Sequence, residues 1–324
     1  MPDMNVGGQA VIEGVMMRSK DRIATAVRKP NGEIVVKTQP YTSLALRKKI
    51  LGLPMIRGAV TFVEMLLIGI RTLNFSAEVA VEEAEREEAE RKGETHTPRK
   101  KGASNLYLAF TAVAALALGI GVFFWVPLAV AGLVTDNRDA VEFNLVAGAI
   151  RMAMFILYVW GISFLKELHR VFEYHGAEHK SIYALESGSD LTPELAARHT
   201  RFHPRCGTSF IFIVALLAIG VYSVSDSLFA LWVGHAPDLW TRFAVHLALL
   251  PVVAGTSYEL LKLSGKTRDN ALTRILIQPG LWLQRITTKE PSMDQLEVAI
   301  AALEAALGVE HEQSKLTCKR TAVF

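Results

Sequence analysis

From Leu106 to Val134 the chain reads LYLAFTAVAALALGIGVFFWVPLAVAGLV, without one charged side chain. A helix needs about 20 apolar residues to cross a hydrocarbon core ~30 Å thick, and this run exceeds that length. Core helices of soluble proteins rarely stay uncharged for so long, so the stretch reads as a membrane span. Three more follow: Val141–Leu165 with Arg151 inside it, Thr208–Val233 with Asp226, and Phe243–Leu263 with Pro251 and Glu259. Composition agrees, with 51% of the 324 residues hydrophobic, 21% charged and a mean hydropathy of +0.27; polar surface holds soluble domains lower. A net charge of +3 speaks against a nucleic-acid partner, which calls for a strongly basic face. The two cysteines, Cys206 and Cys318, lie far apart and suit a reducing compartment. No cleavable signal is expected, because the first apolar run is short and charged.

Cations set the orientation. Arg99, Lys100 and Lys101 precede the first span, and only Arg138 lies in the short loop after it. Lys166, Arg170, Lys180, Arg198, Arg201 and Arg205 fill the long middle loop, and Lys262, Lys266, Arg268 and Arg274 follow the fourth span. Cytoplasmic loops hold the excess of Lys and Arg, so both termini and the middle loop are expected in the cytoplasm, with the chain multi-pass in the inner (cytoplasmic) membrane. The expected fold is mainly α: a polytopic bundle of about four spanning helices, a re-entrant or interfacial helix, and a small N-terminal β-hairpin region. It divides into a cytoplasmic β-rich segment (1–50), the interfacial or re-entrant helix (51–76), a charged helical linker (77–104), spans one and two (105–165), a cytoplasmic His/Glu/Cys loop (166–207), spans three and four (208–263), and a cytoplasmic segment with an amphipathic helix (264–324).

The helix from Leu51 to Phe75 is the ambiguous element. With both flanks cytoplasmic it cannot cross once. Arg57, Glu64, Arg71 and Glu78 recur every seven residues, a step that drifts only ~20° around a helix and so makes one polar stripe. Such a stripe faces protein or water rather than lipid. An ordinary surface helix with ion pairs fits the same pattern. Before it, Arg22–Gln39 with Pro30-Asn31-Gly32 at its middle predicts a β-hairpin. After it, Glu78–Glu94 predicts a solvated charged helix. Ser292 with Gln295 predicts a capping box, and Gly308 the stop of the helix it opens.

Chemistry concentrates in the middle loop. In YHGAEHK (174–180), His175, Glu178 and His179 stand in the order H-x-x-E-H. With no proline intervening, span two is expected to run on as helix through this motif to Gly188. On that helix His175 and His179 lie one turn apart on one face, where two imidazoles can share a metal. Glu178 beside them is placed to take a proton from water, the order that inverted zincins use. Glu186 returns to the same stripe as a further ligand or a group that orients one. In HTRFHPRCGT (199–208), His203 and Cys206 form H-x-x-C. Imidazole and thiolate favour Zn²⁺ over Mg²⁺ or Ca²⁺. Glu259, a turn from the cytoplasmic end of span four, is in reach as another ligand. Arg151 calls for a partner within the membrane, Glu64 or Glu259. Histidines and glutamates that merely bond one another at a membrane surface give the same short motif. The N-terminal block, two flexible glycines and then a strand, presents Glu13 or Arg18 as a contact.

Four blocks carry a resemblance: Gly7–Arg18 (GGQAVIEGVMMR), Tyr174–Lys180 (YHGAEHK), His203–Ser209 (HPRCGTS) and Pro279–Pro291 (PGLWLQRITTKEP). They resemble the signature blocks of the YqhQ-like family, integral membrane proteins of bacteria and plastids with unknown function. The resemblance implies a metal-dependent enzyme, with His175, Glu178, His179, His203, Arg205 and Cys206 in its signature, together with Glu13, Met16 and Arg18.

The function expected from these readings is a membrane-embedded metal-dependent hydrolase at the cytoplasmic surface. His175, His179, His203 and Cys206 are its expected ligands, Glu178 its general base and Zn²⁺ its metal. Membrane lipids surround it, and its substrate is a lipid-linked molecule or a membrane-proximal peptide. Two other readings stand beside this one. A transporter or channel would use Arg57, Glu64, Arg71 and Arg151 as a polar intramembrane path behind a metal-binding gate. A scaffold or assembly factor would hold a structural metal.

Overall fold

The computed structural model describes residues 6–92, 102–135, 139–266 and 270–309. Cys318, Arg99–Lys101, Arg138 and Arg268 lie outside them.

The chain begins with a four-stranded antiparallel meander, β1 (Gly7–Val11), β2 (Gly14–Arg18), β3 (Arg22–Arg28) and β4 (Ile34–Pro40), in the order β1-β2-β3-β4. The expected hairpin is β3–β4, turned at Gly32 with φ 86°. The block before it is a second hairpin rather than a single strand. Its two-residue turn, Ile12-Glu13, holds Glu13 at φ 51° without the Asn or Gly that advertises such a turn. Alternation splits the buried residues between two faces. Val15, Met17, Ala24 and Ala26 point to one core, and Met16 and Ile23 to another.

After α1 (Leu44–Arg47) and a 3-10 turn (Lys49–Gly52), α2 runs unbroken from Ile56 to Lys92. The interfacial helix and the first part of the charged linker are thus one helix. Among the described residues, four helices or helix pairs are long and apolar enough to cross a membrane. The first is α3 (Gly102–Ile120), a π-turn (Gly121–Trp125) and α4 (Val126–Val134); the others are α5 (Ala140–Ile162), α8 (Gly207–Val233) and α9 (Leu239–Lys266). Between and after them come α6 (Lys166–Ser187), α7 (Pro193–Ala197), α10 (Ala271–Thr287) and α11 (Met293–Leu307).

Span two does not continue through the H-x-x-E-H motif, contrary to expectation. Ser163 turns its hydroxyl onto the Trp160 carbonyl at 2.6 Å, and Leu165 is extended, so α5 ends and α6 begins afresh. Serine competing for a helix carbonyl is a local reason for such a break. Gly188 closes α6 in the left-handed conformation, as expected. The capping box at Ser292 and the stop at Gly308 are also present.

One core unites segments far apart in sequence: Val15 and Ala24 of the sheet, Tyr174 and Ala177 of α6, and Leu296 and Leu303 of α11. The segments before the first span, between the second and third, and after the fourth therefore meet at one end of the bundle. At the other contact surface of the bundle, α2 lies along α9. Gly58 and Gly255 let the two backbones approach, since a Cβ on Gly58 would stand 2.6 Å from the Gly255 carbonyl oxygen.

Candidate metal centre

α6 places His175 and His179 one turn apart, with ring centroids 4.5 Å from each other. Each ring is oriented by a backbone carbonyl. His175 Nδ1 lies 2.8 Å from the Thr287 oxygen, and His179 Nδ1 lies 2.5 Å from the Arg201 oxygen. A carbonyl only accepts, so in each ring Nδ1 carries the proton and Nε2 keeps its lone pair. Burial pushes the His179 pKa down, against a hydrogen bond to Cys206 that raises it, which keeps the ring neutral. The third donor comes from the far end of the loop. Cys206 Sγ is 3.3 Å from His175 Nε2, and ligand atoms of His175, His179 and Cys206 all lie within 4.8 Å of one another. Tetrahedral zinc bonds of about 2.0–2.3 Å put ligand atoms roughly 3.3–3.8 Å apart. Metal-binding histidines typically donate the other ring N–H in this way. The donor set fits a borderline metal, with three donors converging among the described residues.

Glu178 occupies the same cavity, of about 430 Å³, which β1, α6 and the start of α8 line. It is buried, and that burial pushes its pKa above the usual carboxylate range. His175, His203 and a hydrogen bond from the Gly8 N–H pull the other way. Gly8 is no flexible hinge. A Cβ there would stand 2.6 Å from the Met16 oxygen and 2.9 Å from Glu178 Cγ. The glycine lets the strand press onto the carboxylate, a reading that a glycine at a strand position allows.

His203 stands next to the centre without joining the three donors. Its ring centroid is 5.7 Å from that of His179, and its Nδ1 accepts the Arg205 N–H at 3.2 Å. Its Nε2 faces Glu186 at 3.5 Å, and Glu186 also binds Arg205. Gln284 of α10 clamps the His203 backbone, accepting its N–H at 2.7 Å and donating to its carbonyl at 2.8 Å. Glu186 thus orients the loop. Glu259 does not line the cavity; Arg57 binds it where α2 meets α9. Glu13 sits in the β1–β2 turn and binds Arg170 of α6 through both oxygens, at 2.6 and 2.5 Å. Arg18 donates to Tyr41 at 3.2 Å.

The structure disperses the residues of the proposed intramembrane path. Besides Arg57, Glu64 accepts from Ser43 Oγ and the Leu44 N–H, both at 2.7 Å, and Arg71 is exposed. Arg151 takes neither expected partner. Its Nε donates to the Phe123 carbonyl at 3.0 Å, and its guanidinium covers the Phe124 ring. Phe123 lies four residues before Pro127, whose missing N–H leaves that carbonyl without its helical donor. The π-turn and Arg151 answer that proline together.

A second buried cluster lies among α5, α8 and α9. Asp226 accepts from Asn144 Nδ2 at 2.9 Å, pairs with Arg242 Nε at 3.1 Å, and contacts His246 Nε2 at 3.0 Å. Sequence reading marked only Asp226. The i,i+4 spacing of Arg242 and His246 on one span was the available signal.

Behind the centre, a Cβ on Gly176 would meet the Lys289 oxygen at 2.0 Å, where Lys289 N–H bonds the Phe172 carbonyl at 2.8 Å. Gly176→Ala must push the segment before α11 off α6. The expected cost is about 1–3 kcal/mol, typical of overpacking, read as a lower thermal midpoint in detergent. An unchanged midpoint would show that this contact yields freely.

A family described as a protein of unknown function, DUF1385, matches residues 53–309, which include all three converging side chains. The uncharacterized protein YqhQ of Bacillus subtilis (strain 168) is 34% identical over 314 residues, 94% of this chain and 92% of that one. No solved structure matches the chain.

Proposed function

The chain belongs to the DUF1385 family, and from that premise we propose that it is a membrane-embedded metal-dependent hydrolase. The observation that carries this reading is the convergence of two lone-pair-bearing Nε2 atoms and one sulfur beside a buried carboxylate. Three protein ligands with an open position characterise catalytic zinc, whereas structural zinc is closed by four. With three such donors among the described residues, that distinction supports an enzyme over a scaffold. The transporter reading has less support, since of Arg57, Glu64, Arg71 and Arg151 three are held by different partners and Arg71 is exposed.

His175, His179 and Cys206 would hold the metal, Zn²⁺ by donor type. When bound, a divalent metal supplies Lewis acidity toward an oxygen of water or substrate. Glu178 is the group that moves the proton, its carboxylate positioned by the Gly8 N–H and shielded from bulk water. His203, Glu186 and Arg205 hold the loop that delivers Cys206. The distribution of Lys and Arg supports a site on the cytoplasmic side of the inner membrane, with both termini there. Surrounding lipid supports a lipid-linked substrate or a membrane-proximal peptide.

Metal analysis of the purified full chain tests this. About one equivalent of divalent metal per chain is expected, as a single such centre requires. His175→Ala with His179→Ala should lower it at least tenfold while the protein stays monodisperse. Equal metal in both proteins would remove the enzyme reading.

A further inference from the structure

We propose that the substrate of the hydrolase is an extended peptide, bound as an added strand on the open edge of β1 so that its main chain passes Glu178. This deepens the enzyme reading and rests on it for catalysis, while the strand site rests on main-chain geometry of its own.

β1 is an edge strand, paired in the sheet with β2 alone. In an antiparallel ladder every second residue turns its N–H and C=O to the partner strand, and the residues between turn theirs away. The phase is set at both ends of β1. Val11 and Gly14 close the two-residue turn and so bond each other. The Ile12 N–H leaves the sheet for Ser76 Oγ at 3.3 Å, and the Gly8 N–H turns to Glu178. Ala10 shares that phase. Its N–H and C=O, with the Gly8 C=O, point away from β2, and no other segment among the described residues bonds them.

The cavity beside the three donors runs along this edge. Residues 6–10 line it in unbroken succession, and no residue of β2 does. Space over a face of the sheet would touch every second residue of β1 and reach β2, because side chains alternate. Contact with successive residues of one strand places the space at its edge. That edge is open: residues 7–10 are partly exposed, and a Cβ on Gly7 would meet nothing within 4 Å. Proteins usually blunt such an edge with a charge, a proline or a bulge, yet GGQAV holds neither charge nor proline and pairs without a bulge. An added strand takes affinity from main-chain hydrogen bonds and selectivity from pockets for alternate side chains. Ala10 and the Gly8 C=O supply the first; Val171, Phe172 and Ile211, which line the same cavity, favour apolar side chains. A lipid tail has nothing for those main-chain groups to bond. At Gly8 the ladder stops, since its N–H turns to Glu178. The peptide amide at that level meets the carboxylate instead of β1, beside His175, His179 and Cys206. Hydrolysis breaks its C–N bond, and the electron pair leaves with the nitrogen. The water oxygen, keeping one proton, bonds to the carbonyl carbon, and Glu178 carries the other proton to the leaving amine.

The test uses the full chain in detergent carrying Glu178→Gln, which keeps bound peptide intact. A pool of random octapeptides is passed over it, and the sequence retained is resynthesised with a fluorophore and with one main-chain N-methyl group at each position in turn. Affinity should fall about tenfold at every second position within the paired stretch and little between, the alternation of a strand ladder. A lost donor that leaves a main-chain acceptor unpaired costs that much. Ala10→Pro, which deletes the outward N–H at an edge position that tolerates proline, should weaken the unmodified peptide by a similar factor with metal content unchanged. Where that variant folds poorly, the N-methyl scan decides alone. Absence of retained peptide, losses without the alternation, or a folded Ala10→Pro chain that binds as before overturns the proposal, and a chain that still holds its metal then keeps the hydrolase reading. Alternating losses in a chain that holds no metal remove the enzyme reading and leave the strand site standing.

Discussion

Asp226→Ala is expected to destabilise the protein by about 3–5 kcal/mol, the range for removing one partner of a buried ion pair. Asp226 and Arg242 are 2% and 1% exposed, and Asn144 and His246 complete the carboxylate's contacts. With the aspartate gone, Arg242 keeps its place over the Phe143 ring but is left as a buried cation with no counter-charge from Asp226. The loss should fall on the packing of α5, α8 and α9 together, since the four residues come from all three. Replacing both ions, Asp226→Leu with Arg242→Leu, should recover most of it, because two desolvation costs disappear along with the attraction. Thermal or denaturant midpoints in detergent read both effects. A single variant within about 1 kcal/mol of the parent, smaller than any buried-pair loss, would mean that water or a rearranged neighbour supports Arg242.

Glu178→Gln is expected to abolish biological activity while leaving the metal content unchanged. The amide has the carboxylate's shape and still accepts the Gly8 N–H, but it cannot take a proton. Removing a general base typically lowers turnover about 10²–10⁴-fold, enough to end complementation of a strain lacking the gene. The wild-type pH profile should carry the same group. Burial holds the Glu178 pKa above the ordinary carboxylate range, so the proton-accepting form, and activity with it, is lost at a higher pH on acidification than for an exposed glutamate. Full complementation by the glutamine variant would reduce Glu178 to a support for β1.

Legibility in the sequence followed the range of the forces involved. Hydropathy is local, and the four spans were readable from it; so were Gly188, Gly308 and the Ser292 capping box, where one or two residues set a backbone conformation. The β1–β2 turn was not readable, because Glu13 is held at positive φ beside a tertiary partner, Arg170, rather than by a turn residue. The break at Ser163–Leu165 carries no proline or glycine. The spacing of His175 and His179 showed that they share a face, but the approach of Cys206 depends on Gln284 pinning His203 from α10. The chain alone marks the Phe123 carbonyl, four residues before Pro127, as lacking a helical donor, but not that Arg151 of the next span supplies one.

The shared core of the sheet, α6 and α11 has a consequence for biosynthesis. β2 and β3 leave the ribosome well before α11, and at about 5–20 residues per second the interval is roughly 10–60 s. Throughout it the strands lack the surface they lean on, while the bundle is still being threaded into the bilayer. The sheet that presses Gly8 onto Glu178 gains its support on α11 only after all four apolar helices have been made, so a nascent chain that stops short of α11 carries the reactive groups without that support.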